Sequence, residues 1–187
     1  IVTVVVNQAP NAGNNGTITV CDIDIAFALI DQIGGSPDLI GAWADPNNAV
    51  HSGIFVPGSD LAGIYTYTVN GVPPCAPAIS TVNVIVNVNP DPGTVGLTTV
   101  CSSDAQFNLI DELGGSPDLS GFWVDPNMNT HSGTYIPGTD LPGDYTYTVN
   151  GIFPCADISA VVTVNEVLAP NAGLSNGYTV CTDQPVF

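Results

Sequence analysis

"GSDLAGIYTYTVNG" occupies Gly58–Gly71, and "GTDLPGDYTYTVNG" occupies Gly138–Gly151. Each copy alternates its side chains strictly. Tyr65, Tyr67 and Val69 share one face, while Thr66, Thr68 and Asn70 share the other, the pattern of a half-buried strand. The Asp60, Gly63 and Tyr65 that lead into it read as a corner, and Asn70-Gly71 predicts a tight hairpin turn after it. The phrase is therefore read as one folding element: corner, core strand, hairpin.

Working outward, the same offset of eighty residues relates the rest of the chain to itself. Cys21 matches Cys101 and Cys181, and Cys75 matches Cys155. "GGSPDL" at Gly34–Leu39 returns at Gly114–Leu119. Trp43, Asp45, Pro46 and Asn47 return as Trp123, Asp125, Pro126 and Asn127. His51-Ser52-Gly53 returns as His131-Ser132-Gly133. Such a period marks tandem units. The expected organisation is residues 1–8 as the end of a preceding repeat, 9–88 and 89–168 as whole repeats, and 169–187 as the start of a following one. The chain is expected to be a window on a longer array.

The balance of charge narrows the function. The chain has 17 acidic residues, 2 His and no Lys or Arg. A basic patch for nucleic acid or an anionic membrane cannot be built, because the phosphate-neutralising side chains are missing. No apolar run approaches a membrane span, so direct insertion is not expected. An apolar fraction of 44% in patterned segments argues for folded cores rather than disorder. The acidity favours solubility and keeps molecules apart. It also makes intramolecular salt bridges scarce.

Each whole unit holds two cysteines, Cys21 with Cys75 and Cys101 with Cys155, both pairs 54 residues apart. No Cys/His cluster has zinc spacing. Two cysteines per small unit point to one disulfide each and an oxidising compartment. Faithful repetition favours bonds inside each unit, although connectivity across units and a pair of buried thiols are alternatives. Closing a loop of that size would contribute ~4 kcal/mol in the chain-entropy picture.

The segments between turn signals read as strands at Thr17–Cys21, Ile23–Ile30, Gly41–Ala44, Gly53–Val56, Gly63–Asn70 and Ile79–Asn87. "AFALIDQIGG" (Ala26–Gly35) also suits a short helical turn. Short strands with one Trp near the middle of each unit, and the Tyr corner, suggest a seven-stranded sandwich. The expected fold class is thus all-β, as tandem immunoglobulin-like β-sandwich repeats of about 80 residues. Trp43, Tyr65, Trp123 and Tyr145 are assigned to the structural core, with a carbohydrate platform as the alternative for the Trp rings.

Chemistry-bearing patterns are few. His51 and Ser52 are neighbours on an expected strand, so their side chains diverge, and no nucleophile elbow, phosphate loop or dinucleotide fingerprint occurs. An enzyme is not expected. With no basic residues, the carboxylates can be balanced by solvent ions or by calcium, which favours six to eight oxygen ligands. Asp45 and Asn47, with Asp125 and Asn127, are the candidate calcium ligands, and no other cofactor is implied. "DPN" is also an ordinary turn.

The ordered motif of Cys, "GGSPD", Trp, "GxYTYTV" and Cys resembles the roughly eighty-residue repeats of giant surface adhesins of gliding Bacteroidetes, the SprB-type family. The likeness covers both whole units and the start of the third. It implies structural shaft repeats of a long extracellular filament that supports gliding motility and surface attachment. It also implies export by type IX secretion and attachment to the outer membrane of a Gram-negative cell. The partners implied are neighbouring repeats of the same chain, and the secretion and gliding machinery through regions outside this window. The family offers no catalytic residues to carry over. A glycan- or calcium-binding module of a secreted protein is the alternative.

Overall fold

The computed structural model describes residues 2–173 and, beyond them, 175, 177, 179 and 181. The expected third repeat, 169–187, therefore falls largely outside the described residues. The first unit runs β1 (Gly16–Cys21), β2 (Phe27–Ala28), a 3-10 turn (Leu29–Gln32), β3 (Ala42–Ala44), β4 (Val50–His51), β5 (Ile54–Phe55), β6 (Gly63–Val69) and β7 (Ala78–Asn87). The second repeats it as β8 (Gly96–Cys101), β9 (Phe107–Asn108), a 3-10 turn (Leu109–Glu112), β10 (Phe122–Val124), β11 (Thr130–His131), β12 (Thr134–Tyr135), β13 (Gly143–Val149) and β14 (Ile158–Val167).

Each unit carries a five-stranded sheet, in the order β1-β7-β6-β3-β4 and its equivalent, facing a two-stranded one made by β2 with β5, or β9 with β12. All neighbours in the large sheet are antiparallel except the edge strand β1, which runs parallel to β7 with Gly16 opposite Val82 and Cys21 opposite Asn87. The second unit keeps this register, Gly96 opposite Val162 and Cys101 opposite Val167. Seven strands in two facing sheets make an all-β, immunoglobulin-like sandwich.

Alternation in β6 works as the sequence reads. Tyr65, Tyr67 and Val69 are buried, and they meet Val82 and Val84 of β7, Trp43 of β3, Leu29 of the 3-10 turn and Phe55 of the smaller sheet. The second unit has its own separate core around Leu109, Trp123, Tyr135, Tyr145, Tyr147, Val162 and Val164. The corner is present in both units: the Tyr65 hydroxyl donates to the Leu61 carbonyl at 2.8 Å, and Tyr145 to Leu141 at 2.8 Å. Gly63 is required there, because its φ of +139° is a left-handed conformation that side chains rarely adopt.

Three expectations need correction. The strand expected at Ile23–Ile30 shrinks to Phe27–Ala28. Asp24 turns the chain at the end of β1, its carboxylate accepting from the Cys21 amide at 2.8 Å, and Ile23 and Ile25 lie exposed. The helical alternative for this stretch is realised as the 3-10 turn after β2. The two-residue turn expected at Asn70-Gly71 is instead an eight-residue connection between β6 and β7. Gly71 is there for close backbone approach, since a Cβ would sit 2.5 Å from the Cys75 carbonyl oxygen. The third correction concerns the cysteines.

Candidate functional site: the junction between units

The disulfide joins Cys21 to Cys155, across the two units, and not Cys21 to Cys75 or Cys101 to Cys155. Its sequence separation of 134 is the expected in-unit spacing lengthened by one repeat period. The parallel pairing of β1 with β7 dictates this outcome. Cys21 ends β1 beside Asn87, the last residue of β7, whereas Cys75 lies in the connection that enters β7 at Ala78. The ten-residue strand β7 holds these positions roughly 30 Å apart at the ordinary strand rise, and a disulfide needs Cα atoms closer than about 7 Å. The two cysteines of one unit therefore sit at opposite ends of its sheet. The trailing end of one unit meets the leading end of the next, and the bond forms there, with the Cα atoms 5.0 Å apart.

Other contacts complete the junction. The Asn87 side-chain amide donates to the Phe153 carbonyl at 2.7 Å and to Ile152 at 3.3 Å, gripping the β13–β14 connection that carries Cys155. The Asn87 carbonyl accepts from the Asp22 amide at 2.9 Å, and the Cys155 sulfur lies 3.5 Å from it. Having no proton, that sulfur makes a packing contact rather than a hydrogen bond. The Asp22 carboxylate accepts from the Asn89 amide at 2.9 Å, which sets the path of the linker leaving β7. Cys21 is 1% exposed and Cys155 is 6% exposed. Among the described residues, Cys21, Asp22 and Cys155 form the one cluster of three metal-ligating atoms, but its two sulfurs are bonded to each other.

The carboxylates proposed for calcium are engaged by their own turns. The Asp45 Oδ1 accepts from the amides of Asn47 and Ala49, at 2.9 and 2.7 Å. Asp125 Oδ1 does the same with Asn127 and Asn129, and its Oδ2 also accepts from the Asn129 side chain. These donors, first among them the Asn129 amide, hold the Asp125 carboxyl below its usual range. Asn47 and Asn127 meet their aspartates through their backbone amides. Asp60 likewise accepts from the Val56 amide at 2.7 Å, and lies 3.5 Å from His51 Nε2. The His51 Nδ1 accepts from the Gly53 amide, which leaves the proton of the neutral ring on Nε2, facing Asp60. The Ser52 hydroxyl is turned to the Ile54 amide instead, so His, Ser and Asp do not assemble.

The tryptophans face inward. Trp43 is 8% and Trp123 6% exposed, each stacked on a tyrosine, Tyr67 or Tyr147, with centroids 4.8 and 4.9 Å apart. Tyr67 stands two residues after the corner tyrosine, where antibody-type domains place the cysteine of their inter-sheet bond. Its hydroxyl donates to the Asp38 carbonyl at 2.6 Å and accepts from the Gly41 amide at 2.8 Å. A tyrosine thus supplies the central cross-link, and the cysteines are placed at the ends. Burial, then the nearby Asp60 and Asp140 carboxylates, push the Tyr65 and Tyr145 phenols up to about 12.

The fold and the inter-sheet arrangement define the class as an immunoglobulin-like sandwich in tandem. Comparison with solved structures agrees. The insect immune protein hemolin, in a domain arrangement described as having implications for homophilic adhesion, is similar with a TM-score of 0.56 and 10% identity over 86% of this chain and 47% of hemolin. The I-band fragment I67-I69 of titin is similar with a TM-score of 0.50 and 14% identity over 83% of this chain and 64% of the fragment. The chain thus spans about half of the former and under two thirds of the latter. At such identity the likeness carries the immunoglobulin-like fold alone. No known family profile and no curated protein matches the chain. No described helix is long and apolar enough to cross a membrane.

Proposed function

We propose that these repeats are the shaft of a long extracellular surface adhesin of the gliding type that the sequence motifs resemble. In this reading the filament is exported by type IX secretion, is held at the outer membrane of a Gram-negative cell, and serves motility and attachment by carrying a distal site and transmitting pull. The observation that carries it is the bond between consecutive units, Cys21–Cys155. A glycan platform needs presented aromatic rings, whereas the Trp rings are packed inward. A shaft needs a junction that resists extension. Tension entering before Cys21 passes through the sulfurs to Cys155 and bypasses the intervening segment, a sequence separation of 134. Disulfides persist in oxidising surroundings, which fits an exported protein.

Single-molecule pulling on the chain from its two ends tests the mechanical reading. With the bond intact, unfolding should release none of the bypassed segment. Adding a reductant should release roughly 450 Å of further length, at the ordinary reach of an extended residue. Release of that length without reductant would refute the shaft mechanism proposed here.

A further inference from the structure

Cys75 and Cys101 are free thiols, both half-buried. They occupy the same two positions as the bonded Cys155 and Cys21, one period earlier and one period later. Their surroundings repeat as well. The Asn7 side-chain amide donates to the Pro73 carbonyl at 2.8 Å, as Asn87 does to Phe153, and the Cys75 sulfur lies 3.6 Å from the Asn7 carbonyl, as Cys155 lies from Asn87. At the other end, the Ser102 amide donates to the Val167 carbonyl at 2.9 Å, as Asp22 does to Asn87. The Ser102 hydroxyl accepts from the Ala169 amide at 2.8 Å, as Asp22 accepts from Asn89, so the chain leaves β14 on the path by which it leaves β7.

We infer that Cys75 and Cys101 are the two open half-sites of the same staple, each built to take a cysteine from a further unit of this kind. Cys101 receives the cysteine equivalent to Cys155 from the unit that follows, and Cys75 receives the one equivalent to Cys21 from the unit that precedes. Every unit is then bonded to both neighbours, and the closed loops overlap along the array. The inference rests on the tandem-shaft reading and deepens it. Each bond forms as two thiols lose two protons and two electrons to a disulfide oxidant such as oxidised glutathione, which is reduced to two thiols. Overlap has a mechanical consequence. The shortest covalent route crosses two units at each staple, so it holds about half as many residues as bonds confined within units would leave. Val167 stands where Asn7 and Asn87 do, so the side-chain grip is lost after the second unit while the backbone carbonyl beside the sulfur is kept.

The test adds one more copy of residues 89–168 between Leu168 and Ala169 of the full chain. The lengthened protein is refolded with oxidised and reduced glutathione, and its disulfides are mapped by mass spectrometry without reduction. The expected result is Cys21–Cys155 together with a new bond from Cys101 to the Cys155 equivalent of the added copy. A Cys101→Ser change should free that partner thiol for alkylation and leave Cys21–Cys155 intact. Cys101 alkylated as readily as in the 187-residue chain, beside an intact Cys21–Cys155, would overturn the ladder but spare the shaft reading. Bonds of Cys21 with Cys75 and of Cys101 with Cys155 would overturn both.

Discussion

The first and second units have the same strand register and equivalent, separate cores, yet differ in the state of their cysteines. Cys21 is fully buried and bonded, while Cys101, at the same position, is half-buried with a free thiol. The reverse holds for Cys75 and Cys155. Nothing inside either unit accounts for this, because the strands that carry or flank these cysteines pair identically. The difference lies in the neighbour: Cys21 has the leading end of another unit against it. A cysteine here belongs to a junction and not to a domain. Smaller differences are local. In the second unit the Tyr135 hydroxyl and the Gly138 amide both donate to Glu166, at 2.9 Å, where the first unit has Phe55 and Val86.

Cutting the junction should have the largest effect. Cys155→Ser should leave both sandwiches folded but remove the cross-link between them. In the chain-entropy picture a loop of this length contributes about 5 kcal/mol to a concerted unfolding. Denaturant titration should then show the midpoint fall and the two units unfold more independently. By contrast, Cys75→Ser and Cys101→Ser should leave the 187-residue chain's midpoint unchanged within error. Equal losses for all four cysteines would contradict the junction assignment.

Tyr67→Phe and Tyr147→Phe sharpen the equivalence of the cores. Each hydroxyl serves one carbonyl and one amide of the same loop, Asp38 and Gly41 or Asp118 and Gly121. Removing it leaves both part-buried groups unpaired, at a cost of about 1–3 kcal/mol. Thermal melts should show similar losses for the two substitutions. A loss confined to one unit would mean that the neighbour, not the core, sets the strength of these bonds.

The smallest effect is electrostatic. Asp125 has the Asn129 side chain in addition to the turn amides, whereas the first unit has Ala49 at that position. Because the folded carboxyl titrates below its unfolded value, its contribution to stability is complete above the ordinary aspartate value of about 3.9 and fades as pH falls through the lowered folded value. Asn129→Ala should raise the Asp125 titration toward the ordinary range and slightly lessen the loss of stability on acidification. NMR titration of the Asp125 carboxyl would show it. An unchanged midpoint would mean that the turn amides alone set the shift.

Much of the fold was legible because its signals are local. Alternation in Tyr65–Val69 names the buried face, Asp60 through Tyr65 names the corner, and a repeat period can be read by inspection. Other features depend on partners distant in sequence. The edge strand β4 is too short to show a pattern, and pairs with β3 only because the fold brings Trp43 beside His51. Asn70-Gly71 carries the residues of a tight turn, but the cross-strand register places Val69 opposite Ala78 and leaves a longer connection between them. The junction residues Asn87 and Asp22 carried no signal at all, since their partners lie across a boundary.

The amino-acid sequence alone determined that the chain is built of like units, that each has an alternating β core sealed by a tyrosine corner, and that phosphate binding through a basic patch is closed to it. Tertiary structure decided which cysteines meet. Spacings in a perfect repeat are identical within a unit and across units up to one period, so pairing is ambiguous in one dimension. Laying β1 parallel to β7 puts a unit's two cysteines at opposite ends of a sheet, and that length, longer than any disulfide can span, hands each sulfur to the adjoining unit.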